Sequence, residues 1–203
     1  MCVETLTGFK FIGEQIRKFE EKGNYEYVFG FEESYGCLVG THARDKDGIT
    51  AVMMLCEAAA FYKKQGLTLW DQMINIYEKY GYYREETMTI TLKGADGAVK
   101  IKEIMESIRN NPPQKMGQFK VLERRDYKTG VKVDIETGKE SKTTLPVSNV
   151  LYYALENDAW CCVRPSGTEP KIKFYIGVKG ESIENAQNQI DEIKKDLMSL
   201  SER

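Results

Sequence analysis

From Tyr82 to Leu92 the chain alternates Met88, Ile90 and Leu92 with threonines, the period-two pattern of a half-buried strand. The segments beyond Leu92 narrow the architecture sharply. A helix is expected from about Ala95 to Arg109, with Ala98, Ile101, Ile104, Met105 and Ile108 on one face, and Asn111-Pro112-Pro113 ends it. Strands are then expected over 119–127, 131–135, 150–156, 159–164 and 171–178, with a polar turn at Glu136-Thr137-Gly138-Lys139-Glu140. A last helix starts at a Ser182 cap and carries Ile183, Ala186, Ile190, Ile193, Leu197 and Leu200 in a 3-4-3-4-3 rhythm. The run is too short for a sustained coiled coil, so it is read as covering its own sheet. One strand, one helix, several antiparallel strands and one helix make an α+β layer, an antiparallel sheet with helices on one face.

The first eighty residues have a different pattern. Phe9, Ile12, Ile16 and Phe19 place a helix over 9–21, ended by Gly23. The aromatic run 25–31 reads as a strand, and Cys37-Leu38-Val39 as a short apolar continuation after a loop. Gly48 precedes a long helix to about Gln65 that is apolar on nearly all sides and is therefore expected to be buried. Gly66 closes it. Thr68 caps a further helix to about Tyr80, with Leu69, Met73, Ile76, Tyr77 and Tyr80 facing inward. The pattern restarts at Tyr80-Gly81, so the chain is divided into an α/β partial domain, 1–80, and an α+β domain, 81–203.

Bulk properties exclude several classes. The 203 residues carry a net charge of −2, which gives no electrostatic footprint for nucleic acid. Any anion site must therefore be local. The longest apolar stretch, Ile49 to Tyr62, is too short to span a bilayer, and no basic head precedes an apolar run at the N-terminus. The five cysteines, Cys2, Cys37, Cys56, Cys161 and Cys162, lack metal-type spacing. They are read as reduced thiols of a cytoplasmic protein.

Two loops carry chemistry. Arg164-Pro165-Ser166-Gly167-Thr168-Glu169-Pro170 lies between two strand runs. A guanidinium matches two oxygens of a phosphate, the Ser and Thr hydroxyls add donors, and Gly lets backbone N–H groups approach an anion. The loop reads as a phosphate cradle; the same letters also spell an ordinary hairpin connection with a solvated Arg. Glu32-Glu33-Ser34-Tyr35-Gly36 leaves the end of a strand. A carboxylate there suits adjacent sugar hydroxyls, or simply faces water. His42, the one histidine, has no partner suggested by spacing.

Together these segments resemble the phosphoglucomutase/phosphomannomutase family, the α-D-phosphohexomutases. Thr5-Leu6-Thr7-Gly8-Phe9-Lys10 is similar to its Thr-Gly-aromatic-Lys loop, Glu32 to Gly36 to its sugar-binding loop, Arg44-Asp45-Lys46-Asp47-Gly48 to a segment whose Lys faces substrate, and Arg164 to Thr168 to its phosphate-binding loop. The resemblance implies that this chain is a C-terminal fragment, the later part of the third of four domains plus the whole fourth, the latter similar to the TATA-binding protein fold. It implies a parent enzyme that interconverts hexose 1-phosphate and hexose 6-phosphate through a phosphoserine and a bisphosphorylated sugar. The phosphoserine loop and the Asp-rich Mg2+ loop are expected upstream, so no catalytic residue and no metal ligand is assigned here and the fragment alone is expected to be inactive. Arg164, Ser166, Gly167 and Thr168 are assigned to the distal phosphate, and Glu32, Ser34, Lys46, Thr7 and Gly8 to the sugar.

Within that resemblance Glu-Glu-Ser-Tyr-Gly leans toward the phosphoglucomutase type, because Gly36 stands where the mannose- and glucosamine-type members carry a His. A phosphopentomutase-like relative and a non-catalytic phosphosugar-binding module remain alternatives. The expected partners are a hexose phosphate and the N-terminal domains of the same protein, with no nucleic acid and no membrane. A truncated third domain also leaves a sheet edge through which copies can pair.

Overall fold

The computed structural model describes residues 1–32, 36–92, 96–167 and 169–201. They divide into two units, Met1–Asn75 and Ile76–Arg203, each described by itself.

In the first unit, α1 (Phe9–Lys22) buries Phe9, Gly13 and Ile16. It stops at Gly23, whose φ of 60° is left-handed and whose N–H returns to the Phe19 carbonyl. β1 (Phe29–Glu32) and β2 (Gly36–Val39) form an antiparallel ribbon in the register Phe29↔Val39 to Glu32↔Gly36. Phe9, Ile16 and Leu38 make the small core, with Ile12, Tyr27 and Ala43 packed against it. The expected strand over 25–31 is shorter at its start. β2 offers only four partners and Gly40, at φ 74°, turns the chain away. Tyr27 spends its hydroxyl on the Leu38 carbonyl instead, at 3.0 Å.

α2 (Gly48–Lys63) overturns a second expectation. It is apolar all round, yet none of its residues is buried, and Ile49 and Met53 are 75% and 63% exposed. A helix apolar on every side needs cover on every side; β2 packs against it and leaves the rest open. α3 (Leu69–Tyr80), which crosses the division between the units, likewise buries none of its residues, so none of Leu69, Met73, Ile76, Tyr77 and Tyr80 on the expected inward face is buried. Its start is as expected: Thr68 Oγ1 accepts the Asp71 N–H at 3.1 Å, and Asp71 accepts the Thr68 N–H at 2.8 Å in return.

The second unit runs β3 (Tyr82–Thr91), α4 (Gly97–Asn110), β4 (Lys115–Met116), β5 (Phe119–Asp126), β6 (Val131–Asp134), β7 (Glu140–Lys142), β8 (Leu151–Leu155), β9 (Trp160–Pro165), β10 (Lys171–Gly180) and α5 (Ile183–Ser201). Its antiparallel sheet has the order β3-β10-β9-β8-β5-β6-β7, with β4 beside β5. The chain's second strand by position in that sheet, β10, is its last in sequence. The β9–β10 hairpin therefore sits between β3 and β8, and its connecting loop is Ser166–Pro170. β4 and β7 were not expected. They are two and three residues long, too short to show a period, and β7 begins on the last residue of the expected polar turn.

Alternation decides which face the helices cover. Ile172, Phe174 and Ile176 of β10, Cys161 and Val163 of β9 and Leu151 and Tyr153 of β8 are fully buried, in one cluster with Met105 of α4 and Ile190, Ile193 and Leu197 of α5. α5 thus covers its own sheet, started by Ser182 Oγ accepting the Asn185 N–H at 3.0 Å. Arg109 ties α4 to the sheet: its guanidinium donates to Asp126 at 2.9 Å, to Glu106 at 3.0 Å and to Asn149 at 2.8 Å. On the opposite face Tyr152 stacks on Trp160, with centroids 6.1 Å apart. Trp160 lies over Gly177, where a Cβ would stand 2.2 Å from the indole nitrogen, so only glycine fits there.

Candidate functional site

The ribbon tip of the first unit sets Glu32 against Lys46. Glu32 closes β1 opposite Gly36, whose φ of 130° is glycine territory. Lys46 sits on the loop between β2 and α2, and that loop is tied at both ends. The Asp47 N–H donates to the Cys37 carbonyl of β2 at 3.0 Å. Asp47 then caps α2, accepting the Ile49 N–H at 2.9 Å. The Lys46 N–H donates to the Asp45 carboxylate at 2.7 Å. The Lys46 amine is ion-paired with Glu32 Oε1. The Glu32 side chain is only 10% exposed, and its second oxygen, Oε2, is buried without a hydrogen-bond partner among the described residues. A buried carboxylate oxygen left without a donor is costly, and a ligand hydroxyl would relieve it.

His42 departs from expectation. Spacing suggested no partner, but its Nε2 lies 2.8 Å from Asp47 Oδ2. His42 and the Ile49 N–H hold the Asp47 carboxyl below its ordinary value. The signal that could have found Asp47 was its place as an acidic residue directly before an apolar helix.

Thr7 and Gly8 form the bend that enters α1, and Gly8, at φ 123°, is its N-cap residue with no side-chain cap bond. Lys10 is exposed, its amine 4.9 Å from the Phe11 ring centre. Ser34, assigned to the sugar, and Glu33 and Tyr35 beside it lie outside the described residues.

In the second unit Arg164 is the penultimate residue of β9 and pairs with Lys173 of β10. It is half-buried. The Ser166 N–H donates to the Lys171 carbonyl at 2.8 Å, and the Lys171 N–H to the Glu169 carbonyl at 2.7 Å, which closes the hairpin. The Glu169 carboxylate is taken by Lys171 at 2.9 Å, not by Arg164. Ser166 Oγ accepts the Glu169 N–H at 3.3 Å, and a Cβ on Gly167 would meet nothing within 4 Å, so the backbone there is open to a small anion. Thr168 lies outside the described residues.

Two surface hollows, of about 480 Å³ beside Phe19 and Tyr27 and about 620 Å³ beside Pro112 and Asp196, contain none of the assigned site residues. Among the described residues no group of three or more His, Cys, Asp and Glu side chains is placed to hold a metal. No described helix is long and apolar enough to cross a membrane.

The family model for phosphoglucomutase/phosphomannomutase, alpha/beta/alpha domain III, matches residues 1–80, and that for the C-terminal domain matches residues 96–195. A phosphoglucomutase of Staphylococcus epidermidis is 36% identical over 189 residues, covering 93% of this chain and 34% of the relative. One from Staphylococcus aureus is 37% identical over 188 residues with the same coverage. The chain thus spans about a third of the length of the curated relatives it matches. An open-form crystal structure of pp63/parafusin, a phosphoglucomutase from Paramecium, shares the fold at a TM-score of 0.58 and 20% identity, over 97% of this chain and 33% of that one. With both of its units matched in order, the chain belongs to the phosphoglucomutase/phosphomannomutase family.

Proposed function

We propose that this chain is the part of a phosphohexomutase that recognises the sugar hydroxyls and the non-reacting phosphate of a hexose phosphate. The parent enzyme interconverts hexose 1-phosphate and hexose 6-phosphate by way of a phosphoserine and a bisphosphorylated sugar. Residues 1–80 act as the later part of its third domain and 81–203 as its fourth. The observation that carries this reading is the buried Oε2 of Glu32, unpartnered among the described residues, beside the Lys46 ion pair.

Glu32 accepts a sugar hydroxyl through that oxygen, with Ser34 on the same loop, while Lys46 faces a ring or phosphate oxygen as a point charge. Thr7 and Gly8 contribute the bend that lines the sugar side. Arg164, Ser166, Gly167 and Thr168 clamp the distal phosphate, so their work is positioning and charge neutralisation, both large in phosphoryl transfer. Gly36 in place of a His favours glucose over mannose or glucosamine. The chain works in the cytoplasm, and its N-terminal domains supply the phosphoserine and magnesium. Copies of the chain on its own pair through the open edge of the β1–β2 ribbon.

The test is a pair of measurements on the purified chain. Calorimetric titration with α-D-glucose 1-phosphate is expected to show binding, and a coupled assay for glucose 6-phosphate is expected to show no turnover. Absence of binding contradicts the recognition role; sustained turnover contradicts the division of labour.

A further inference from the structure

The loop that carries Lys46 is held by one guanidinium. A single nitrogen of Arg44 donates to both Glu20 carboxylate oxygens of α1, each at 2.8 Å. The other terminal nitrogen donates to the Thr41 carbonyl at 2.7 Å and the Ala43 carbonyl at 3.1 Å. The backbone of the same residue lies flush on α1: a Cβ built on Gly13 would stand 2.6 Å from the Arg44 carbonyl oxygen. Gly13 is buried in the middle of the helix, where glycine costs roughly 1 kcal/mol against Ala, so its presence is explained by this close approach. Two residues further on is Lys46. At the far end of the loop Asp47 is fixed by the Cys37 carbonyl and by His42. The loop is thereby clamped on either side of Lys46, and the amine is delivered to Glu32.

We infer that Arg44 is a positioning residue, which sets the Lys46–Glu32 pair by bracing the loop against Glu20 and Gly13 of α1. An exposed ion pair alone contributes little, and Arg44 and Glu20 are 47% and 50% exposed. The four donor contacts matter for direction: they join two backbone carbonyls and one helix in a planar geometry that a lysine ammonium does not reproduce. The inference rests on the reading of Glu32 and Lys46 as sugar-phosphate contacts.

The experiment uses the full chain with labelled lysine side chains, the Lys46 ε-methylene signal being identified by its loss in Lys46→Met. Arg44→Lys and Glu20→Gln are each expected to move that signal toward the position of an unpaired lysine, with the urea unfolding midpoint unchanged. Each is also expected to weaken α-D-glucose 1-phosphate binding several-fold, and Arg44→Lys is expected to add nothing in the Lys46→Met background. An unmoved Lys46 signal, or an equal loss of binding in the Lys46→Met background, overturns the inference. If Lys46→Met itself leaves sugar-phosphate binding intact, the site reading fails instead, while the methylene signal still decides whether Arg44 places the amine.

Discussion

The Lys46 amine is ion-paired with Glu32 across fourteen residues of sequence, and the second Glu32 oxygen is buried without a partner among the described residues. Lys46 orients the carboxylate from one side. Glu32→Gln keeps the shape but replaces one acceptor with an amide and removes the negative charge opposite Lys46. It is expected to weaken α-D-glucose 1-phosphate binding by about ten- to hundredfold, the worth of one charge-assisted hydrogen bond. Calorimetry on the purified chain measures it.

Arg109 and Asp126 give a prediction about stability. Their side chains are 11% and 9% exposed, and Arg109 also holds Asn149. Arg109→Met strands a buried carboxylate and is expected to cost about 3 kcal/mol of unfolding free energy. Adding Asp126→Asn removes the stranded charge and should recover part of the loss. Urea denaturation followed by circular dichroism reports both.

Acid sensitivity should be traceable to Glu86 of β3. The Lys194 ammonium of α5 holds its carboxyl below the ordinary value of 4.5 against the opposing effect of burial, with help from Gln187 and Arg84. A carboxyl depressed in the folded state stabilises the fold above its unfolded pKa, and that contribution is lost as pH falls through the folded one. Wild type should therefore exceed Glu86→Gln in stability at neutral pH, and the gap should close as pH drops below 4.5. Urea midpoints of both proteins across an acid series show this; a constant gap would exclude Glu86 as its source.

The open surface of α2 predicts dye binding. Val52 and Leu55 are 61% and 59% exposed. Val52→Glu with Leu55→Glu should sharply lower the fluorescence of bound anilinonaphthalene sulfonate, with stability changed by no more than about 0.5 kcal/mol per site. Unchanged fluorescence would place the dye elsewhere.

The second unit was legible because its signals are local. Threonine alternation in β3, the Ser182 cap and the Ile190, Ile193 and Leu197 rhythm each name a face without knowledge of the others. Its order of strands was not legible, since pairing of β10 between β3 and β9 is a non-local choice. For α2 the inference from apolar to buried failed, because composition shows what a helix needs covered and not whether the cover lies in the chain. Among the candidate residues, Glu32, Lys46 and Arg164 stand out in the sequence by type and by their place in loop-flanking motifs. The Lys46–Glu32 pairing, the His42–Asp47 contact and the Arg44 brace were not legible, since each joins residues through loop geometry that has no period.

The proposed hold on the distal phosphate of a hexose phosphate depends most on Arg164. Its fork is taken by no carboxylate among the described residues, and Glu169 of the same loop is paired with Lys171. The most direct measurement is a calorimetric titration of wild type and Arg164→Ala with α-D-glucose 1-phosphate. Loss of a charge-assisted contact predicts an affinity lower by about ten- to hundredfold in the variant, with the fold intact by circular dichroism. Equal affinities in the two proteins would contradict the account.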